Sequence, residues 1–249
     1  MFHLTKIHHN LQDNIAELHS EAIFNYQRSS YELVYAFDGS YDNTIAALHS
    51  IGCIVASPKF VGLGRIFTDD PKHHVSEEFS YVALKGLFVP KSHDKNHDKK
   101  IILLDDDALT IDYTLAVLDH DLDKEHIPYN FHQDNFHIDE FLENLSKEKY
   151  CIVKNKGPFD TTNLADYEEM VFVYKDATKK YGKFLYKSGI RQTGFYLPDD
   201  DYIDSQSGPF VNQFLLSAIF HSYLNINKFL HTYCSVRGVR PYPYVEKKP

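Results

Sequence analysis

Three consecutive aspartates, Asp105, Asp106 and Asp107, follow an apolar run in the stretch KKIILLDDDALTID, residues 99–112. The apolar run predicts a buried strand, and ligands of open α/β sheets bind beyond the carboxyl ends of the strands. Because alternate residues of an extended chain point to the same side, Asp105 and Asp107 can converge while Asp106 faces away. Converging carboxylates bind hard divalent ions such as Mg²⁺ or Mn²⁺, which in turn bind phosphate oxygens. A solvated surface turn is the alternative interpretation of the same triplet.

The composition is typical of a globular protein that does not bind nucleic acid. The chain has 249 residues, of which 43% are hydrophobic, and this length fits one large domain. A formal net charge of −9 without a basic cluster argues against a nucleic-acid partner. No apolar run approaches the roughly 18–20 residues that a membrane span requires. We therefore expect neither a nucleic-acid partner nor a membrane span.

The sequence also leads us to expect a cytoplasmic protein. The N-terminal stretch MFHLTKIHHNLQDN lacks the basic and apolar regions of a secretory signal. The three cysteines, Cys53, Cys151 and Cys234, are far apart and odd in number, which argues for a reducing compartment. Secretion by a non-classical route stays open.

Hydrophobic periodicity predicts strands that alternate with helices in the first half of the chain. The predicted strands are at 31–38, 53–57, 100–107, 150–154 and 168–175. The predicted helices are at 10–28, 44–52, the first part of 76–90, 137–147 and 209–233. Residues 182–198 are expected to form a hairpin or a strand with turns. The alternation favours an α/β sheet with some parallel strands, in a single domain, 1–249, with a helical N-terminal extension over 1–30.

Four segments, taken in order, resemble the retaining, metal-dependent glycosyltransferases of family 8, which include glycogenin and the bacterial lipopolysaccharide galactosyltransferases. The first three are similar to the family's first strand and helix, the helix before its metal motif, and the aspartate motif itself. The fourth is similar to the closing segment, in which a His precedes a Gly, a basic residue, Pro and an aromatic. The segments cover residues 31–51, 76–123 and 228–242, and they include YELVYAFDGSYDNTIAALHSIG, FSYVALKGLFVP, KKIILLDDDALTIDYTLAVLDHDL and FLHTYCSVRGVRPY.

The resemblance implies a GT-A fold, in which a Rossmann-like, mixed but mainly parallel sheet is flanked by helices. It implies a transferase that moves a sugar from a UDP-sugar donor to an unknown glycan, lipid or protein acceptor, with retention of configuration. The metal, Mn²⁺ or Mg²⁺, would neutralise the charge that develops on the UDP leaving group.

The resemblance also implies roles for individual residues. Asp105 and Asp107 would hold the metal, and His231 would be its third protein ligand. Lys85 is the basic residue nearest to the place where the family has an Arg, and residues 124–185 match no segment of the family. Around the nucleotide, the resemblance places Ala36, Asp38 and Tyr41 at the uridine and Gly238 and Arg240 at the diphosphate. It places Ser188 and Gly189 near the acceptor, and Lys85 and Asp106 complete the residues around the nucleotide or substrate.

Three other functions fit parts of the sequence. The chain could be a catalytically inactive binding or effector protein on the same GT-A-like scaffold. The stretch VLDHDLDKEHIP, residues 117–128, contains the His-Asp pair of an HD-type phosphohydrolase, which needs a further upstream His and a downstream Asp. Cys53 with His73 or His74 could form the pair of a Cys-dependent hydrolase, although the apolar context GCIVAS favours a buried core thiol.

Overall fold

The computed structural model describes most of the chain. The described residues are 17–39, 41–93, 101–105, 129–130, 138–206, 208–220, 223–226 and 234–243. Their strands are β1 (Glu17–Tyr26), β2 (Ser29–Gly39), β3 (Ile54–Val55), β4 (Ser80–Phe88), β5 (Ile101–Asp105), β6 (Tyr129–Asn130), β7 (Tyr150–Ile152), β8 (Phe159–Asp160), β9 (Gln192–Tyr196), β10 (Phe210–Leu216), β11 (Tyr223–Ile226) and β12 (Cys234–Pro241). Their α-helices are α1 (Tyr41–Ser50), α2 (Pro58–Thr68), α3 (His74–Glu77), α4 (Ile138–Glu143), α5 (Glu168–Tyr174), α6 (Thr178–Lys187) and α7 (Asp200–Asp204).

The strands form a largely antiparallel sheet, and this arrangement is the main departure from the predicted fold. The path through the sheet is β1-β2-β12-β4-β10-β11-β9-β8, and β5 pairs with both β4 and β7. Among the described strands, only β4 with β12 and β9 with β11 pair in parallel. The prediction of a Rossmann-like, mainly parallel sheet flanked by helices, the GT-A arrangement, is therefore wrong.

Short connections account for two of the antiparallel pairs. β1 and β2 are joined by Gln27 and Arg28, which both have positive φ, as a two-residue type I′ hairpin requires. β10 and β11 also pair antiparallel across a short connection. A parallel pair needs a crossover of a dozen or more residues, which neither of these connections supplies.

The predicted N-terminal helix is wrong where the structure describes it, because residues 17–26 form strand β1. Leu18, Ala22 and Phe24 are buried, and a β-bulge at Glu21 separates the first of them from the other two. Leu18 packs with one core cluster, and Ala22 and Phe24 pack with another on the opposite side of the sheet. The bulge thus turns the strand over, and it produces an apolar spacing of four residues that is also typical of a helix.

Two further predicted helices are also strands. β4 forms most of 76–90, after the single turn of α3, and β10 and β11 form the regular structure described within 209–233. Every residue of β4 is buried, because alternate side chains pack into different core clusters on the two faces of the sheet, Val82 and Leu84 into one and Leu87 into another. A strand that is buried on both faces has a continuous apolar run, and such a run resembles a buried helix.

The opposite error occurs at 168–175 and at the start of 182–198. The first of these, predicted as a strand, forms helix α5, whose buried residues Met170, Val173 and Tyr174 have helical spacing. The second, predicted as a hairpin or strand, begins inside helix α6 and becomes extended only in β9.

Several predicted elements are confirmed. The strand at 31–38 is β2, and the helix at 44–52 is α1. The strand that ends at the first aspartate of the triplet is β5, and the strand at 150–154 is β7. The helix predicted at 137–147 is α4, although it is shorter than expected.

Helices α2, α5 and α6 pack against one another beside the sheet. Arg65 of α2 is fully buried, and its guanidinium donates hydrogen bonds to the Val75 carbonyl at 2.9 Å, the Tyr181 hydroxyl at 2.8 Å and the Ser217 carbonyl at 2.9 Å. These three bonds join α2 to α3, to α6 and to the end of β10. Among the described residues, no helix has the length and apolar character needed to cross a membrane.

Candidate functional site

Asp105, the first member of the aspartate triplet, lies at the end of β5 next to a cation. The Lys175 ammonium is 3.3 Å from its carboxylate, and the same ammonium lies over the Phe172 ring. Asp107 and His231, the other residues assigned to the metal, lie outside the described residues. So does Asp106, which was assigned to the nucleotide or substrate. Among the residues that the structure does describe, no three or more His, Cys, Asp and Glu side chains are grouped so that they could hold a metal ion. The use of Mn²⁺ or Mg²⁺ stays a prediction.

The residues assigned to the uridine lie where β2 meets α1. Ala36 is fully buried in β2 and packs against the core rather than facing solvent. Asp38 lies near the end of the same strand and Tyr41 begins α1, but their side chains lie outside what the structure describes. Lys85 is buried within β4 and lies opposite Leu104 of β5, one pair away from the Leu84–Asp105 pair, so its side chain is on the other face of the sheet from Asp105.

Gly238 and Arg240, assigned to the diphosphate, make structural contacts in β12. A Cβ atom on Gly238 would lie 2.6 Å from the Leu48 side chain and 2.8 Å from Cβ of Cys53, so glycine lets α1 pack closely on β12. Arg240 forms an ion pair of 2.8 Å with Glu32 of β2. These contacts account for both residues without a phosphate ligand.

Ser188 and Gly189, assigned to the acceptor, end helix α6. The Ser188 amide donates to the Phe184 carbonyl, and Gly189 has a φ of +86°, the left-handed conformation that often ends a helix. The positions of both residues follow from helix termination.

The predicted cysteine pair is not a reactive one. Burial raises the pKa of the Cys53 thiol to about 12, so the thiol stays protonated at neutral pH. His73 accepts a hydrogen bond from the Val75 amide, and Nδ1 of His74 lies 2.6 Å from the Glu21 carboxylate. These contacts fit the buried core thiol that the apolar context favoured, rather than the nucleophile of a hydrolase. The HD-type stretch, 117–128, lies outside the described residues.

A buried polar network joins β1, β12 and α3. The Arg237 guanidinium donates to both carboxylate oxygens of Glu21, at 2.7 and 2.9 Å, and to the Ser80 hydroxyl at 2.8 Å. Arg237 and Glu21 are buried, whereas about half of the His74 side chain is exposed. The Tyr35 ring lies below the Arg237 guanidinium and edge-on to the His74 ring. Each charge in this network has a protein partner, which is typical of a structural core.

Strands β9 and β11 present two exposed tyrosines on one face of the sheet. In this parallel pair, Gly194 is opposite Tyr223, and Tyr196 is opposite Asn225. Opposed residues, and residues two apart on a strand, project to the same side. Tyr196, Tyr223 and Asn225 therefore share one face, which we call the tyrosine face. The exposed fraction is 70% for Tyr196 and 36% for Tyr223, so both rings are accessible from solvent.

A glycine and a buried carboxylate set the geometry of the tyrosine face. A Cβ atom on Gly194 would lie 3.2 Å from the Tyr223 ring, so the absence of a side chain lets that ring approach the strand. The Phe195 amide donates to the Lys156 carbonyl, which ties β9 to the preceding loop. The buried Glu169 carboxylate fixes that loop by accepting from the backbone amides of residues 154 and 155, at 3.0 and 2.8 Å.

The sequence contains a signal for the tyrosine face that the helix prediction over 209–233 obscured. In β11, the buried Leu224 lies between Tyr223 and Asn225, and in β9 the buried Phe195 precedes Tyr196. In β11 this alternation of buried and exposed residues is typical of a strand with one solvent face, whereas in β9 residues 193–195 are all buried. The alternation does not predict which strands lie side by side.

No known protein family and no curated protein sequence matches the chain. The architecture is instead that of the C-type lectin fold. The chain is similar to a solved structure described as "Accommodation of massive sequence variation in Nanoarchaeota by the C-type lectin fold". The two are 9% identical, with a TM-score of 0.53, over 87% of this chain and 100% of that chain.

The fold corrects the resemblance to family 8 glycosyltransferases. The matching segments were short and apolar, and the strand and helix patterns in them occur in many folds. The predicted GT-A fold and the glycosyltransferase function are therefore wrong, together with the inactive GT-A-like alternative. That the protein is an enzyme and that it is cytoplasmic both stay predictions.

Proposed function

We propose that the protein is a carbohydrate-binding protein and that the tyrosine face is its binding surface. The observation that carries the proposal is the solvent exposure of Tyr196 and Tyr223 side by side on neighbouring strands. Large apolar rings are usually buried, and exposed groups of them occur at binding sites.

The chemistry of the face matches a sugar better than a purely apolar ligand. A tyrosine ring packs against the C–H face of a sugar, while its hydroxyl bonds to a ligand hydroxyl. The Asn225 amide beside the rings supplies both a donor and an acceptor. A pyranose has the same combination of an apolar face and hydroxyl groups at its edge.

The scaffold around the face is rigid, which favours binding. The loop below β9 is held by the buried Glu169 carboxylate, and the Lys156 side chain forms an ion pair of 2.8 Å with Asp200 of α7. Fixed strands keep the rings in place before the ligand arrives, so little conformational entropy is lost on binding. The likeness in fold supplies only a scaffold, since one fold hosts many functions.

The test is a screen of immobilised neutral and acidic oligosaccharides, followed by titration of the ligands that bind. Tyr196→Ala and Tyr223→Ala should each weaken binding by about 5- to 30-fold, which corresponds to roughly 1–2 kcal/mol for a lost ring contact. Tyr242→Ala removes an exposed tyrosine at the end of β12 and should leave binding unchanged. Absence of any glycan ligand, or equal effects of all three substitutions, would count against the proposal.

A further inference from the structure

Helix α6 has a strongly basic outer face. Its buried residues are Thr178, Tyr181, Gly182, Phe184 and Leu185. Its exposed residues are Lys179, Lys180, Lys183, Tyr186 and Lys187, so every lysine of the helix points to solvent. The helix has ten residues and is about 15 Å long, which places four ammonium groups within a short distance. We call this surface, together with Arg191 after the helix, the basic face.

Most of the positive charge on the basic face is not neutralised by neighbours. Lys187 forms an ion pair with Asp69. Lys179, Lys180 and Lys183 have no acidic partner within the part of the chain that the structure describes. Three positive charges therefore face solvent on a protein whose formal net charge is −9. Charge of one sign gathered on one surface attracts a ligand of the opposite sign.

An arginine stacked on a tyrosine adds a planar group to the basic face. The Arg191 guanidinium lies 3.9 Å from the centroid of the Tyr186 ring, and its Nη1 donates to the Tyr186 carbonyl at 3.0 Å. The exposed fraction of Tyr186 is 45%. The pKa of the exposed Asp160 is lowered mainly by hydrogen bonds from Thr162 and, to a smaller extent, by the charge of Arg191. The Asp160 carboxylate therefore offsets part of the positive charge of Arg191. The pair offers a flat surface with further N–H donors.

We propose that the basic face binds single-stranded nucleic acid. Lys179, Lys180 and Lys183 contact successive phosphates, and a base stacks on the Tyr186–Arg191 pair. Proteins usually bind single-stranded nucleic acid without sequence preference through a positively charged surface that follows the phosphate backbone and aromatic side chains on which the bases stack.

Two other polyanions fit the basic face less well. An anionic membrane favours helices that insert apolar side chains beside their lysines, and the outer residues of α6 are lysines and one tyrosine. A sulfated glycan matches the charges but has no planar base for the Tyr186–Arg191 pair. The expectation of no nucleic-acid partner rested on the net charge and on the lack of a basic cluster in the sequence, whereas the lysines of α6 come together on one surface because the segment is a helix.

The test is the fluorescence anisotropy of a labelled single-stranded oligonucleotide of about 12 nucleotides, a length within the usual range of such sites. Three phosphate contacts give a slope of about −2 for the logarithm of the association constant against the logarithm of salt concentration. Between about 50 and 200 mM salt, the affinity should then fall roughly 20-fold.

Substitutions on the basic face separate charge from stacking. Lys179→Ala with Lys183→Ala should reduce the slope to about −0.7, because one contact remains. The matched control, Lys91→Ala with Lys147→Ala, removes two exposed lysines that belong to neither α6 nor α2, and it should leave slope and affinity unchanged. Tyr186→Leu should weaken binding about tenfold without changing the slope. Circular dichroism of each variant checks that the fold is retained.

Several outcomes would overturn the proposal. They are no oligonucleotide binding at low salt, equal effects of the two lysine pairs, and tighter binding of heparin or of phosphatidylserine vesicles than of the oligonucleotide. The proposal is independent of the tyrosine face. Tyr196→Ala with Tyr223→Ala should therefore leave oligonucleotide binding unchanged, and a loss of binding in that variant would also contradict it.

Discussion

The stability of the protein at low pH should depend on Glu21, the buried carboxylate in the network of β1, β12 and α3. Burial by itself would raise the pKa of this group. The Arg237 guanidinium beside it, together with hydrogen bonds from His74 and Arg237, outweighs burial and lowers the pKa from 4.5 to about 2. The carboxylate is therefore ionised at neutral pH, and it can only accept hydrogen bonds, so Nδ1 of His74 donates to it.

The lowered pKa sets both the sign and the size of the effect. A group whose pKa is lower in the folded state stabilises the fold above its unfolded pKa and loses that contribution as the pH falls through the folded value. One pKa unit corresponds to about 1.4 kcal/mol, so a fall from 4.5 to about 2 contributes about 3 kcal/mol to the free energy of unfolding at neutral pH. That contribution should decline between pH 4.5 and about 2.

Urea unfolding at a series of pH values measures this contribution. Glu21→Gln should lower the free energy of unfolding at neutral pH by about 3–5 kcal/mol, since it leaves the Arg237 charge buried without its partner. It should also remove the decline attributed to Glu21 at acidic pH. Glu143→Gln changes an exposed carboxyl in α4 and serves as the control.

The wild-type pH series gives a result even if the Glu21→Gln variant does not fold. A wild-type free energy of unfolding that stays constant from pH 4.5 to about 2 would refute the reasoning. So would a folded Glu21→Gln variant that has the stability of the control at neutral pH, because the buried pair would then contribute nothing.

Two further predictions concern packing and thiol chemistry. Gly182→Ala would place a Cβ atom 2.5 Å from the Thr161 carbonyl oxygen. We expect the free energy of unfolding to fall by about 1–3 kcal/mol, which would be seen as a lower melting temperature. An unchanged melting temperature would show that the two backbones can separate without cost. In a Cys234→Ser background, Cys53 and Cys151 should react with a thiol reagent only on unfolding. Burial raises the pKa of each to about 12, and rapid reaction of the native protein would contradict this.

The misassigned elements show which local signals were ambiguous. In α5, the Val and Phe content favoured a strand, whereas the spacing of Met170, Val173 and Tyr174 was already helical. In β4, burial on both faces removed the alternation that distinguishes a strand. In β1, the bulge at Glu21 changed the buried side within one strand. Each of these cases depends on what packs against the element, which a local pattern does not contain.

The candidate sites differ in how far the sequence could lead to them. The end of β5 at Asp105 was predicted, but its neighbour Lys175 lies seventy positions later and belongs to a different element. The lysines of α6 were visible in the sequence, but they form one face only because the segment is a helix. The tyrosine face needed the pairing of β9 with β11.

Local sequence patterns were enough to predict the local features of this protein: the apolar strand that ends at Asp105, helix α1, and strand β2 with its apolar and aromatic residues. These features depend on residues within a few positions of one another, whose geometry is fixed by the backbone period. The order of the strands, and with it the pairing of Glu21 with Arg237 at the opposite end of the chain, follows from packing between distant segments. Such contacts join distant segments. The same local patterns are compatible with many strand orders, because buried apolar area stabilises a fold whichever segments supply it.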